Sequence, residues 1–226
     1  QLGHGDFKNI AFPRCIQGLK WATVSIVCGS NHSVAIGHNG ALYTWGAECA
    51  MAGMNVSNNR AECVNSKGDI SFPTNMKDAV KTKIKRVCCG SKFTLGLSYD
   101  GDVYSWGNND FGQLGEERED NKPKIIDGLK LRRRHHAGII SISCGARHSL
   151  AVNSNGDVMS WGWNDYGTLG TGDQDEIKGV HQVLGDLANK KVVQVSAGFR
   201  HSAALTQDGD IYVWGMSALA ARDGSG

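Results

Sequence analysis

The chain has 226 residues, 30 of them glycine and 3 proline, and a formal net charge of +2. That length supports one core of its own or an arc of a larger repeat domain. The glycine-rich, proline-poor balance excludes a disordered proline-rich tail. The near-neutral charge excludes a global field for nucleic acid or membrane, and no run approaches the ~20 apolar residues of a membrane helix.

In chain order, residues 10–16 read as an outer strand and 23–27 as a first strand. A unit then runs from Cys28-Gly29 through His32-Ser33 and Asn39-Gly40 to Trp45-Gly46. Strand 84–88 precedes a second unit, from Cys89-Gly90 through Asp100-Gly101 to Trp106-Gly107, with an outer strand at 122–126. Strand 139–143 precedes a third, from Cys144-Gly145 through Asn155-Gly156 to Trp161-Gly162, with an outer strand at 180–184. Strand 192–196 precedes the fourth, from Ala197-Gly198 through Asp208-Gly209 to Trp214-Gly215. In every unit the first glycine stands 16 positions before the tryptophan, whereas the spacing between units varies. A rigid core with elastic connections follows. The Asn-Gly and Asp-Gly pairs are two-residue hairpin signals, because both positions need positive φ. Four short strands per repeat is the arithmetic of an all-β propeller with four-stranded antiparallel blades. The expected organisation is a single propeller segment over 1–226, with units at 1–18, 19–77, 78–129, 130–185 and 186–226.

These residues resemble the regulator of chromosome condensation repeat family. Arg147-His148-Ser149 through Trp161-Gly162, and on to Gly167-Thr168-Leu169-Gly170, follows its repeat almost throughout, as does Asp102 through Trp106 to Leu114-Gly115. Gln1-Leu2-Gly3-His4-Gly5-Asp6 matches the tail of a preceding repeat. Phe93 departs from the histidine of the other units, and residues 50–54 form a degraded loop. The family folds as seven-bladed propellers, so the resemblance implies about four blades' worth of a larger ring. The opening Gln1 in place of methionine is in keeping with a trimmed piece. A small closed ring would need residues 10–16 to pair with 211–214. An open arc leaves apolar blade faces in water, so the segment alone is expected to aggregate or partly unfold.

The seven cysteines (Cys15, Cys28, Cys49, Cys63, Cys88, Cys89, Cys144) are odd in number and include no CxxC. Reduced thiols and a cytoplasmic or nuclear location follow. Cys28/His32 and Cys144/His148 recur with the repeat and are read as core or turn anchors, with no metal and no cofactor assigned. The repeated tryptophans are read as packing. The family includes a plant ultraviolet photoreceptor with extra tryptophans before the Arg-His pair. Here those positions hold Ser30, Ser91, Ala146 and Phe199, which disfavours photoreception.

No nucleophile–base pair or phosphate cradle stands out, so no catalytic residue and no small-molecule substrate are assigned. Charge carries the partner-binding candidates. Arg132, Arg133 and Arg134, with Lys81, Lys83 and Lys85, lie just before first strands, whereas Glu116 and Glu117 lie in a loop after a tryptophan. The two loop classes emerge at opposite ends of a blade, giving one basic and one acidic rim. Arg147 and Arg200, each beside a repeat histidine, complete the set. The leading reading is a protein-interaction propeller within a scaffold, signalling or ubiquitin-ligase protein. The resemblance also implies guanine-nucleotide exchange on a small Ran-type GTPase, with the enlarged connection between Gly46 and Gly90 as a wedge. A third reading is chromatin binding through the basic rim.

Overall fold

The computed structural model describes residues 1–6, 8–17, 19, 22–46, 70–76, 80–118, 122–131 and 138–217. Fifteen strands among them form four antiparallel sheets, each built from consecutive strands. Blade 1 holds β1 (Thr23–Cys28), β2 (His32–Gly37), β3 (Leu42–Gly46) and β4 (Ile70–Asn75). Blade 2 holds β5 (Ile84–Cys89), β6 (Phe93–Ser98), β7 (Val103–Gly107) and β8 (Lys124–Ile125). Blade 3 holds β9 (Ile139–Cys144), β10 (His148–Asn153), β11 (Val158–Gly162) and β12 (His181–Gln182). Blade 4 holds β13 (Val192–Ala197), β14 (His201–Thr206) and β15 (Ile211–Gly215). A five-residue helix, α1 (Asp127–Leu131), leads out of blade 2.

The hairpin signals set the register. In blade 3, Val152 faces Val158 across Asn155-Gly156. Gly156 has φ +93° and donates its N–H to Asn153 O at 3.0 Å. A side chain there would collide with Lys191 Cα at 2.7 Å, so glycine is needed on both counts.

Strands β2, β6 and β10 are buried at every position. Burial on both faces is what a strand between two stacked sheets requires. The core accordingly lies between blades. One layer joins blades 1 and 2 through Val34, Ile36, Ile84 and Trp106. The next joins blades 2 and 3 through Leu95, Leu97, Ala151 and Trp161. The third joins blades 3 and 4 through Leu150, Val152, Val195 and Trp214. On the free face of blade 1, Ile16 and Leu19 pack against Ala35, Tyr43 and Trp45.

One expectation needs correction. Residues 10–16 form no strand. No strand pairs with them among the described residues, and Pro13 supplies no ladder donor. The pairing of 10–16 with 211–214 is therefore absent, and β15 is the edge strand of its sheet among the described residues. The fourth strand of blade 1, which periodicity left unplaced, is β4, inside the long connection between Gly46 and Gly90. The terminal blades expose apolar side chains: Val24 and Ile26 on β1, and Ile211 and Val213 on β15, the last two at 72% and 70%.

Candidate partner-binding face

The repeated His, Ser and Trp join each blade to a neighbour. Trp161 Nε1 donates to Gln113 O of blade 2 at 2.9 Å, and Ser149 Oγ donates to the same oxygen at 3.0 Å. Trp214 and Ser202 grip Thr168 O of blade 3 at 2.9 Å each. Trp45 and Ser33 grip Gln1 O at 2.9 and 3.1 Å, so the first residues stand in for the loop of a preceding blade. The corresponding loop position for Trp106 lies outside the described residues. In the other direction, His32 Nε2 meets Thr94 Oγ1, and His148 Nε2 meets Ser202 Oγ, each at 2.9 Å. Burial holds both imidazoles near a pKa of about 4, which keeps them neutral. The chemistry of these residues is internal. Among the described residues no three His, Cys, Asp or Glu side chains gather to hold a metal.

What remains for a partner is at the blade ends. The end carrying the Asn-Gly and Asp-Gly turns also carries the approaches to the first strands. There Lys83 packs over Gly40, and Lys191 over Gly156. Lys81, Lys83 and Lys85 are exposed at this end. Arg132, Arg133 and Arg134 lie outside the described residues.

The opposite end is built from the turn between first and second strands and the loop after each tryptophan. Here two arginines and four aromatic rings interleave. The Arg147 guanidinium carbon lies 4.5 Å from the Phe111 centroid and 5.1 Å from that of Trp163. Arg200 lies 5.5 Å from Trp163, 5.4 Å from Tyr166 and 5.4 Å from Phe199. Trp163 is the hinge of the array. It packs at 5.9 Å and 57° against Phe111, and edge-on at 6.2 Å and 87° against Tyr166. Each arginine occupies the same repeat position, one before the histidine, and Phe111 and Tyr166 likewise share a position in successive loops. The sheet spacing therefore lays the side chains out as a ladder across blades 2, 3 and 4. Tyr166 has φ +64°, a left-handed conformation unusual for an aromatic residue. The surrounding loop holds it: Asn164 Oδ1 accepts from Leu169 N at 3.0 Å, and Thr168 Oγ1 donates to Trp163 O at 2.5 Å.

Neither Arg147 nor Arg200 has a carboxylate partner among the described residues, and Arg200 Nε meets no acceptor. Arg200 Nη1 donates to Met216 Sδ at 3.8 Å, and the rings lower the entropy of holding both guanidiniums still. Phe199 is 67% exposed and Tyr166 40%, so rings and cations together face outward.

Glu116 and Glu117 sit beside this array and are already paired. Glu116 is half-buried, 3.8 Å from Arg118 and 3.6 Å from Lys124. Glu117 forms an exposed ion pair with Lys178 of the next loop, which holds its carboxyl below the usual range. This end keeps the exposed carboxylates of Asp173, Asp175 and Glu176 and also presents two arginines that lack a carboxylate partner among the described residues. The structure brings Arg147 and Arg200 together, and places Lys81, Lys83 and Lys85 at the far end from them. The rings Phe111, Trp163, Tyr166 and Phe199 were not among the sequence candidates. The available signal was the recurrence of an aromatic two residues after Asn109 and Asn164.

Over residues 1–221 the chain matches the family described as RCC1-like domain. It is 36% identical to the human E3 ubiquitin-protein ligase HERC2 over 221 residues, covering 95% of the chain and 4% of that protein. It is 32% identical to the Arabidopsis thaliana ultraviolet-B receptor UVR8, covering 95% of the chain and 46% of the receptor. The zebrafish (Danio rerio) RCC2 homologue is 31% identical, covering 96% and 47%. Among solved structures, human WBSCR16 superposes with a TM-score of 0.68 at 23% identity, covering 94% of this chain and 55% of that one. Prp20p of Saccharomyces cerevisiae, studied for its binding to Gsp1p and histones, gives 0.67 at 25%, covering 87% and 44%. The chain thus spans less than half the length of these curated relatives.

Proposed function

The chain belongs to the RCC1-like domain family, and from that premise we propose that it is a protein-interaction propeller segment whose docking face is the arginine–aromatic ladder. The observation that carries the reading is the pair Arg147 and Arg200. Both are held between rings at an exposed blade end and lack carboxylates of their own. Aromatic and arginine side chains are the residue types that dominate binding hot spots. The partner it fits presents Asp or Glu side chains beside an apolar contact for Phe199 and Tyr166.

The test is affinity capture from cell extract with quantitative comparison of wild type, R147A/R200A and K81A/K83A/K85A. The expected result is loss of the principal stoichiometric partner in the arginine variant alone, at unchanged thermal stability. Retention of that partner by the arginine variant would refute the proposal.

A second reading is binding of nucleic-acid phosphates or the acidic surface of a nucleosome through the opposite end. It is supported by the three exposed lysines Lys81, Lys83 and Lys85, which have no carboxylate partner among the described residues. Here the lysine variant, and not the arginine variant, would lose binding and show a flatter salt dependence. Nucleotide exchange is the third reading, supported by the likeness to Prp20p. The wedge assigned to it lies mostly outside the described residues, and release of labelled GDP from a panel of GTPases decides it.

A further inference from the structure

Successive side chains of a strand point to opposite faces, so Cys88 and Cys89 at the end of β5 serve different layers. Cys89 packs toward blade 1. Cys88 packs toward blade 3, in the layer that holds Ile142 and Cys144. There Cys88 Sγ lies 2.9 Å from Cys144 Sγ on β9. The repeat explains the meeting. Cys144 opens its unit as Ala197 opens the next, and Cys88 precedes its unit as Ser143 precedes Cys144. At the next junction Ser143 Oγ accepts from Ala197 N at 2.9 Å. The same step around the ring therefore puts serine against alanine at one junction and two thiols against each other at the other.

We propose that Cys88 and Cys144 are an oxidative modification site, converted by a small-molecule disulfide of the glutathione type into a disulfide between blades 2 and 3. A sulfur–sulfur bond is about 2.05 Å long, so the two atoms close by roughly 0.9 Å. Both residues are partly exposed and the Cys144 thiol is itself buried, so the oxidant reaches Cys88 first. In the first step the Cys88 thiolate attacks one sulfur of the oxidant, forms a mixed disulfide and expels a thiolate. Cys144, as thiolate, then attacks Cys88 Sγ and expels the second. The two protons lost by the protein leave on the two expelled thiols, and one disulfide is reduced for one formed. Cys144 acts second because burial, and then Cys88 beside it, hold its thiol well above the ordinary range. The bond ties residues 56 positions apart.

The experiment equilibrates the whole chain in reduced and oxidised glutathione at graded ratios, alkylates free thiols, digests without reduction and maps the peptides by mass spectrometry. The expected result is a linked Cys88–Cys144 peptide pair that grows with oxidation as both sites lose alkylation, with Tm rising by about 5 °C or more. C88S and C144A copy Ser143 and Ala197 of the next junction. Each should abolish the linked pair and the rise while leaving the reduced Tm within about 2 °C. Recovery of both cysteines as alkylated or glutathionylated peptides at the most oxidising ratio would overturn the proposal. So would linkage through Cys89 in place of Cys88. The wild-type peptide map alone decides the matter where a variant does not fold.

Discussion

His148 Nε2 lies 2.9 Å from Ser202 Oγ of the following blade, with its ring out of contact with solvent. His32 repeats the relationship with Thr94 two junctions earlier. In both, burial is the main cause that lowers the imidazole from 6.5 to about 4, and for His148 the neighbouring His201 adds to it.

Acid should therefore loosen the junctions before it reaches the carboxylates. Between pH 6.5 and about 4 the unfolded chain carries protons on these histidines that the folded chain does not. The stability they contribute is complete above pH 6.5 and is lost as pH falls through that window, up to about 3 kcal/mol for each. Urea midpoints measured from pH 7.5 to 4.5 should fall steadily. H148F, which follows the Phe93 of blade 2, should roughly halve the slope. A midpoint independent of pH across the window contradicts the assignment.

Two glycines separate packing from backbone strain. A Cβ on Gly145 would sit 2.2 Å from His148 Cε1 and 2.6 Å from Gly198 O, and that carbonyl belongs to the next blade. G145A should cost about 2–3 kcal/mol by denaturant titration. Gly112 has φ +71° and open space around it. G112A should cost only about 1 kcal/mol, from the left-handed backbone alone. Equal losses would mean that one of the two causes is misassigned.

Charge alone should not support the ladder. R147K keeps the cation and loses the flat group that stacks on Phe111 and Trp163. Against the captured partner, titration calorimetry should show affinity down about tenfold for R147K and further for W163A. Full binding by R147K would mean that the rings are incidental.

The apolar faces of the terminal blades should make the segment associate. With Ile211 and Val213 some 70% exposed on an edge strand, neighbouring molecules have both an apolar face and unpaired backbone to share. Sedimentation velocity should show concentration-dependent species, and I211K/V213K should shift them toward monomer. A wild-type sample that is monodisperse and melts cooperatively at every concentration would count against the prediction.

The blades themselves were legible in sequence because the hairpin turns and tryptophans are local signals. Asn155-Gly156 and Trp161-Gly162 fix two strands without any tertiary information. The outer strands were harder. β8 and β12 are two residues long, and β4 lies in a connection with no repeat around it. Residues 10–16 have strand-like composition, and what a strand also needs is a partner. For the candidate face, Arg147 and Arg200 could be picked from the repeat position they share. The rings that hold them are separated in sequence, and only the stacking of blades brings Phe111, Trp163 and Phe199 to the same two guanidiniums. Glu116 shows the converse, a charge that sequence offers to a partner and that Arg118 and Lys124 already neutralise.

The grip of Trp45, Trp161 and Trp214, each with its serine, on a carbonyl of the preceding segment has a genealogical consequence. The third repeat carries the donors at its beginning and the acceptor at its end: Ser149 and Trp161 donate to the loop before, and Thr168 accepts from the blade after. A tandem duplication of one repeat therefore arrives with both halves of the joint, and the new copy fits its older neighbours without compensating change. Lineages can lengthen such an array by copying, while the side chains around the joint drift into pairs as different as Ser143 with Ala197 and Cys88 with Cys144.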